Sequence, residues 1–169
     1  MLSNEAYANY KVFPDLPYNI IEFLITEPKA EMIWKLLKYN DKDAYQKENL
    51  TFEQKRSLIY DGSADDSTFA IFRDPGSVYT TSLEKTFLRI YVSGIVQEQR
   101  MTGLMNIAFE VVSHAKINHL SNYKTRTDMI TQLLLEIFNG IPIGGLGLFF
   151  LNIQKSPVTG IKPLIQNDY

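Results

Sequence analysis

The chain has 169 residues, no cysteine and a formal net charge of -2. The absence of cysteine excludes disulfides and thiolate metal sites. The near-neutral charge argues against electrostatic, sequence-independent binding of nucleic acid, which needs a concentrated basic face. No apolar run reaches the roughly twenty residues that span a bilayer, and the first residues lack the basic start and apolar core of a signal peptide. These features predict a single domain, residues 1–169, without membrane contact.

The first segment, residues 1–17, is predicted to form an N-terminal arm. Three aromatic side chains lie there among polar residues with no clear period: Tyr7, Tyr10 and Phe13. Pro14 and Pro17 bracket a bend. Aromatic residues on such an arm dock either on the parent domain or on a neighbouring subunit, and the sequence leaves both open.

Residues 18–62 are predicted to be mainly helical. Pro28 fits the first turn of a helix with an apolar stripe. Thr51 and Gln54 have the spacing of a capping box. A second, short helix is therefore expected to begin there and to be closed by Gly62.

The α+β core is predicted over residues 68–153. Residues 68–72, 87–92 and 104–114 are expected to be strands, the last two with alternating apolar and polar side chains. The strands over 87–92 and 104–114 should pair. The segment between them, residues 93–103, is too long for a tight hairpin and is expected to project as a polar loop or an extended ribbon.

A helix is predicted after Thr125, whose hydroxyl can cap the first turn together with Asp128. Its apolar stripe consists of Met129, Ile130, Leu133, Leu134, Ile137 and Phe138. Arg126 lies off that stripe, and Gly140 ends the helix. An apolar run then predicts a last strand over 146–153, followed by an extended, proline-bearing tail over 156–169.

The sequence contains no complete catalytic or metal-binding constellation. His114 and His119 are the only histidines, and their spacing does not place both on one face of a helix. The glycine-rich run 144–147 precedes a strand, whereas a phosphate-binding loop follows a strand and opens a helix. Three carboxylates are predicted near helix starts, where the helix dipole and solvent account for them: Glu22, Glu27 and Glu31. We therefore predict a protein that is not an enzyme and that has no catalytic residue, no cofactor and no metal.

The order of elements resembles that of the neck (head–tail connector) and tail-terminator proteins of tailed bacteriophages. The resemblance covers residues 86 to about 154. It consists of the strand over 87–92, the strand over 104–114, the helix with Arg126 and Asp128 near its start, and the glycine-marked entry to the last strand. The predicted fold is accordingly α+β, with a small antiparallel or mixed sheet packed by two or more helices, long loops and extended terminal arms.

The resemblance implies a virion structural protein that forms a homo-oligomeric ring at the head–tail junction, assembled in the host cytoplasm. Its partners would be further copies of the chain and neighbouring virion proteins such as a portal-side connector or the tail tube. DNA would enter only as cargo passing through the lumen. Six residues are candidates for subunit contacts because aromatic and guanidinium groups suit interfaces: Tyr7, Tyr10, Phe13, Arg73, Arg89 and Arg100.

A second class of function stays open at this point. The chain could be a small, non-enzymatic adaptor that recognises one protein partner through an exposed strand edge. The molecular mass in solution separates the two, because a ring subunit forms a closed, high-order oligomer and an adaptor does not.

Overall fold

The computed structural model describes residues 14–63, 67–75, 84–99 and 102–142, with the backbone alone for residues 96–99 and 102–104. Several predictions lie outside these described residues. They are the arm up to residue 13, Arg100, the glycine-rich run, the last strand and the C-terminal tail.

Within the described ranges the chain has an α+β fold with a three-stranded mixed sheet. The helices are α1 Leu16–Thr26, α2 Glu31–Lys38, α3 Phe52–Arg56, α4 Ala115–Asn118 and α5 Arg126–Phe138, and the strands are β1 Ile71–Phe72, β2 Thr86–Gln99 and β3 Thr102–Ser113. The predicted fold class is confirmed.

The sheet has the order β1-β2-β3, with β1 parallel to β2 and β2 antiparallel to β3. The pairing of β2 with β3 confirms the expected strand pair. The statement that residues 93–103 are too long for a tight hairpin is wrong, because the ladder continues to the pair Gln99 and Thr102. Of the two expected alternatives, the structure has the extended ribbon, because residues such as Ile95 continue the paired strand.

One face of the sheet is covered by α1, α2 and α5. The core on this side includes Ile20, Leu24, Leu36, Leu88 and Leu134, all at most 2% exposed. The predicted apolar face of β3 packs against it, as expected: Met105, Ile107, Phe109 and Val111. The apolar helix stripes and the apolar strand face therefore form one continuous core.

The second face of the sheet also buries side chains. Phe72 and Phe87 are 1% and 2% exposed and meet edge to face, with ring centroids 6.0 Å apart. Tyr60 lies against Phe72 at 5.3 Å and against Phe69 at 5.4 Å. Residues 78–85 have no strong period in the sequence, which predicts a long exposed loop. Lys85, the last residue of that segment, is instead buried, and its ammonium donates to the Phe69 carbonyl at 3.0 Å.

Two helix boundaries differ from the sequence-based expectation. α1 begins at Leu16, inside the stretch assigned to the arm, because Leu16 is buried in the core at 1% exposure. α3 begins at the Thr51–Gln54 capping box as expected, but it ends at Arg56 rather than at Gly62. The chain leaves the helix early because the backbone of Leu58 accepts hydrogen bonds from Ala70 and Ile71.

Candidate interaction surfaces

The histidines have local structural roles in the described chain. His114 is the N-cap of α4, and its Nδ1 accepts from the Lys116 N–H at 3.3 Å. His119 forms an isolated bridge with Thr125. Across the described ranges, no group of three or more His, Cys, Asp or Glu side chains could hold a metal ion. The candidate sites are therefore surfaces and buried polar contacts.

Arg126 is the most deeply buried charged residue of the described chain, at 0% exposure. Its Nη1 donates to the carbonyls of Leu36 at 2.8 Å and Tyr39 at 2.7 Å. Its Nη2 donates to the Asp41 carbonyl at 3.0 Å, and its Nε donates to the Ile117 carbonyl at 3.2 Å. The first turn of α5 is thereby tied to the end of α2 and to α4. We call this arrangement the Arg126 site.

The Arg126 site has a clear electrostatic cause. The last carbonyls of a helix have no partner inside the helix, and the helix dipole makes that end negative. The Arg126 guanidinium lies at the end of α2 and satisfies these carbonyls. Burial lowers the pKa of Arg126 and the Asp41 carboxylate opposes that shift, but arginine stays charged at neutral pH because its ordinary pKa is so high. In the sequence, Arg126 lies off the apolar stripe of α5, and that pattern does not indicate its burial.

A second buried cation lies between α2 and α3. The Lys55 ammonium is 2.7 Å from Glu31 Oε2 and donates to the Ile25 carbonyl at 3.3 Å. Glu31 Oε1 accepts from the Leu50 N–H at 2.6 Å. Glu31 does lie in the first turn of α2, as predicted, but the helix dipole and solvent do not account for it, because it pairs with a buried lysine. We call this the Lys55 site.

A row of four side chains, three exposed and one half-buried (Glu22), joins α1 to α3. Arg56 Nη2 donates to Glu22 Oε2 at 2.8 Å, and the guanidinium lies 4.7 Å from the centroid of the Phe52 ring. Tyr18 is one helical turn from Glu22 on α1. Tyr18 is 45% exposed and Phe52 is 49% exposed. We call these four residues the α1–α3 surface. Glu22 lies in the middle of α1 and not near its start, which corrects the prediction for this carboxylate.

The β2–β3 ribbon changes character along its length. Leu88 and Ile90 are fully buried near the helices, whereas Ser93, Ile95 and Asn106 are exposed farther along. Ile95 is 44% exposed although it is a large apolar residue. The outer part of the ribbon, which continues to the pair Gln99 and Thr102, therefore exposes side chains at Ser93, Ile95 and Asn106.

The turn between α4 and α5 presents Tyr123, which is 100% exposed and has a φ of 64°. A bulky residue in this left-handed region is uncommon and strained. The turn is held by hydrogen bonds from Leu120 N–H to the Lys124 carbonyl at 3.0 Å and from Ser121 N–H to the Lys42 carbonyl at 3.1 Å. It is a tightly fixed turn with a free aromatic ring.

A family model described as YomW matches residues 30–167 of the chain. The chain belongs to the YomW family. The name is that of a Bacillus phage-derived, SPbeta-like family, and membership is consistent with a phage origin. No curated protein and no solved structure matches this YomW-family chain. Among its described helices, none has the length and apolar character that crossing a membrane requires.

The predicted contact residues fall in different places in this family member. Tyr7, Tyr10, Phe13 and Arg100 lie outside the described residues. Arg73 is exposed directly after β1. Arg89 is used within its own sheet, where Nη1 pairs with Glu110 Oε2 at 2.9 Å and the guanidinium lies 4.9 Å from the Phe87 ring centroid. The role of the six residues in subunit contacts stays a prediction.

The features that sequence reasoning missed are the Arg126 site and the α1–α3 surface. Both depend on residues distant in the chain, since Arg126 contacts a carbonyl 90 positions away and Arg56 pairs with a carboxylate 34 positions away. Helical spacing does place Tyr18 beside Glu22 and Phe52 beside Arg56. Nothing in the local pattern indicates that the two pairs meet.

Proposed function

We propose that this chain is a virion structural protein at the head–tail junction of a tailed phage, either a neck (connector) protein or a tail terminator. In this proposal it forms a homo-oligomeric ring through which the genome passes. The phage-derived family name supports the phage setting. The observation that carries the structural role is the β2–β3 ribbon, which extends past the core.

The ribbon suits a subunit that must reach its neighbours. It pairs continuously over two strands of 14 and 12 residues, apart from two register shifts. Its inner part is anchored by the buried Leu88 and Ile90, and its outer part exposes the apolar side chain of Ile95. An exposed apolar residue on a rigid projection is suited to contact with another protein. A ring needs such a projection because each subunit contacts the next through two different patches.

The proposed partners and location follow from a position at the head–tail junction. The partners would be other copies of the chain and a portal-side connector or the tail tube. DNA would be cargo in the lumen, which agrees with a chain of net charge -2 that has no need to hold nucleic acid tightly. The protein would reside in the virion after assembly in the host cytoplasm.

The test is the mass of the purified full-length chain, by light scattering and by imaging, together with its detection in purified phage particles. We expect a closed oligomer of many copies. Ile95→Lys should weaken the contact between subunits by about ten- to a hundredfold, because it removes an apolar contact worth roughly 1.5–3 kcal/mol per subunit. Gln132→Lys, at an exposed position of α5, is the matched control and should assemble normally.

The opposite results are equally informative. A chain that remains a monomer or a dimer at all concentrations, and that is absent from particles, would contradict the ring. It would favour the small adaptor module instead. An Ile95→Lys variant that assembles as well as the wild type would show that the ribbon is not the contact.

A further inference from the structure

We propose that the α1–α3 surface pairs two copies of this chain about a two-fold axis. The contact would use Tyr18, Glu22, Phe52 and Arg56 of both copies. It is separate from the ring contact proposed above, which joins two different patches head to tail, whereas a two-fold contact joins the same patch on both subunits.

The α1–α3 surface exposes side chains of the kinds found at protein interfaces. Four large apolar residues of the described chain are exposed, and two of them, Tyr18 and Phe52, lie on this one surface. The arginine between them is partly exposed, at 43% of its side chain. Tyrosine and arginine are the residue types most enriched among those that dominate the affinity of protein interfaces. The composition is therefore that of an interface centre.

The four residues lie in a definite order. Across the surface the row reads aromatic, acid, base, aromatic: Tyr18, Glu22, Arg56 and Phe52. Rotating a second copy by half a turn places its acid opposite the base of the first copy and its base opposite the acid. The aromatic rings at the two ends also face each other. The row is thus complementary to itself in charge, which a two-fold contact requires.

Arg56 has capacity for a second partner. Within the described residues Arg56 donates one hydrogen bond, to Glu22 Oε2, although a guanidinium offers several N–H donors. The ring of Phe52 lies against one face of that guanidinium and holds it in place. A fixed arginine with free donors loses little side-chain freedom when it binds a second carboxylate.

The experiment is a charge exchange followed by sedimentation of the full-length chain over a range of concentrations. Arg56→Glu places like charges opposite each other in the pair, and so does Glu22→Arg. Each single variant should self-associate at least about tenfold more weakly than the wild type. The double exchange, Glu22→Arg with Arg56→Glu, restores opposite charges and should recover the association.

The decisive sample is an equimolar mixture of the two single variants. Each single variant has like charges at positions 22 and 56 of its own chain. In a mixed pair, the two acids of the Arg56→Glu chain face the two bases of the Glu22→Arg chain. The mixture should therefore associate although neither component does. This outcome depends on contact between chains and cannot arise from repair of the pair within one chain.

The controls separate this contact from folding and from the ring. Melting temperatures of all variants show whether they are folded. Lys47→Glu disrupts another exposed ion pair, with Asp41, and should leave the mass unchanged. The proposal is overturned if the wild type is monomeric, if the single variants associate like the wild type, or if the mixture stays monomeric. Because the two contacts are separate, Arg56→Glu should leave any ring itself intact and abolish only the two-fold pairing; a variant whose total mass equals that of the wild type would overturn this contact and leave the ring proposal untouched.

Discussion

Two of the buried cations among the described residues, Lys55 and Arg126, are held in different ways. At the Lys55 site a lysine ammonium is paired with a carboxylate, Glu31. At the Arg126 site a guanidinium donates to four backbone carbonyls. The carboxylate is a side chain and can be removed together with the lysine. The carbonyls belong to the main chain and remain whatever residue is placed opposite them.

This difference explains why each position has the residue type that it has. Four carbonyls in different directions require the forked, planar guanidinium, whose donors point outward at fixed angles. A carboxylate and one carbonyl can be satisfied by the compact ammonium of lysine. The Arg126 site is therefore expected to tolerate no replacement, and the Lys55 site to tolerate a paired replacement.

The largest effect is expected for Arg126→Met. It leaves four buried carbonyls without a donor and should lower the free energy of unfolding by about 3–5 kcal/mol. Arg126→Lys should recover only part of this loss, because an ammonium cannot reach all four oxygens at once. Urea denaturation measures both. If Arg126→Lys is as stable as the wild type, the positive charge alone stabilises this site and the forked geometry of the guanidinium is not needed.

The next effect is expected for Lys55→Met. It leaves the partly buried Glu31 carboxylate without its cation and should cost about 1–3 kcal/mol. Adding Glu31→Met removes both charges, so the double variant should be more stable than the sum of the two single losses predicts. A double-mutant cycle in urea measures this coupling. If the losses of the two single variants simply add up in the double variant, the Lys55 site does not tolerate a paired replacement and does not differ from the Arg126 site in this respect.

The smallest effect concerns the turn beside the Arg126 site. Tyr123 is fully exposed, so its replacement changes backbone strain and no packing. Tyr123→Asn should stabilise the protein by about 0.5–1 kcal/mol, since asparagine tolerates the left-handed region better than tyrosine. Tyr123→Val should destabilise it, because a β-branched residue is strained most there. Equal melting temperatures of the two variants would show that the turn is not strained.

The elements that could be predicted are those whose causes are local. The hydroxyl of Thr125 accepts from the Asp128 N–H at 3.2 Å, as the capping pattern predicts. The reciprocal bonds of Thr51 and Gln54 are likewise both present. The alternation along β3 correctly identified the face that packs on the core. In each case the residues that determine the structure lie within a few positions of one another.

The errors have a common physical origin in long-range contacts. α3 ends early because its following residues bond to the β1 region, and Lys85 is buried by the Phe69 carbonyl and the Phe72 ring. For the hairpin, the polar residues of 93–103 left a polar loop and an extended ribbon both open, and only the claim that a tight hairpin was excluded was wrong. The pairing of the two strands supplies the hydrogen bonds that make such a polar segment a ribbon.

The sequence by itself determined the α+β class, the helix caps and the apolar faces, because capping and periodicity are properties of neighbouring residues. Only the tertiary structure decided that Arg126 is a buried link between α2 and α5, and that Glu22 and Arg56 meet on one surface. Their partners lie 34 to 90 positions away, and the fold alone brings such residues within hydrogen-bonding distance.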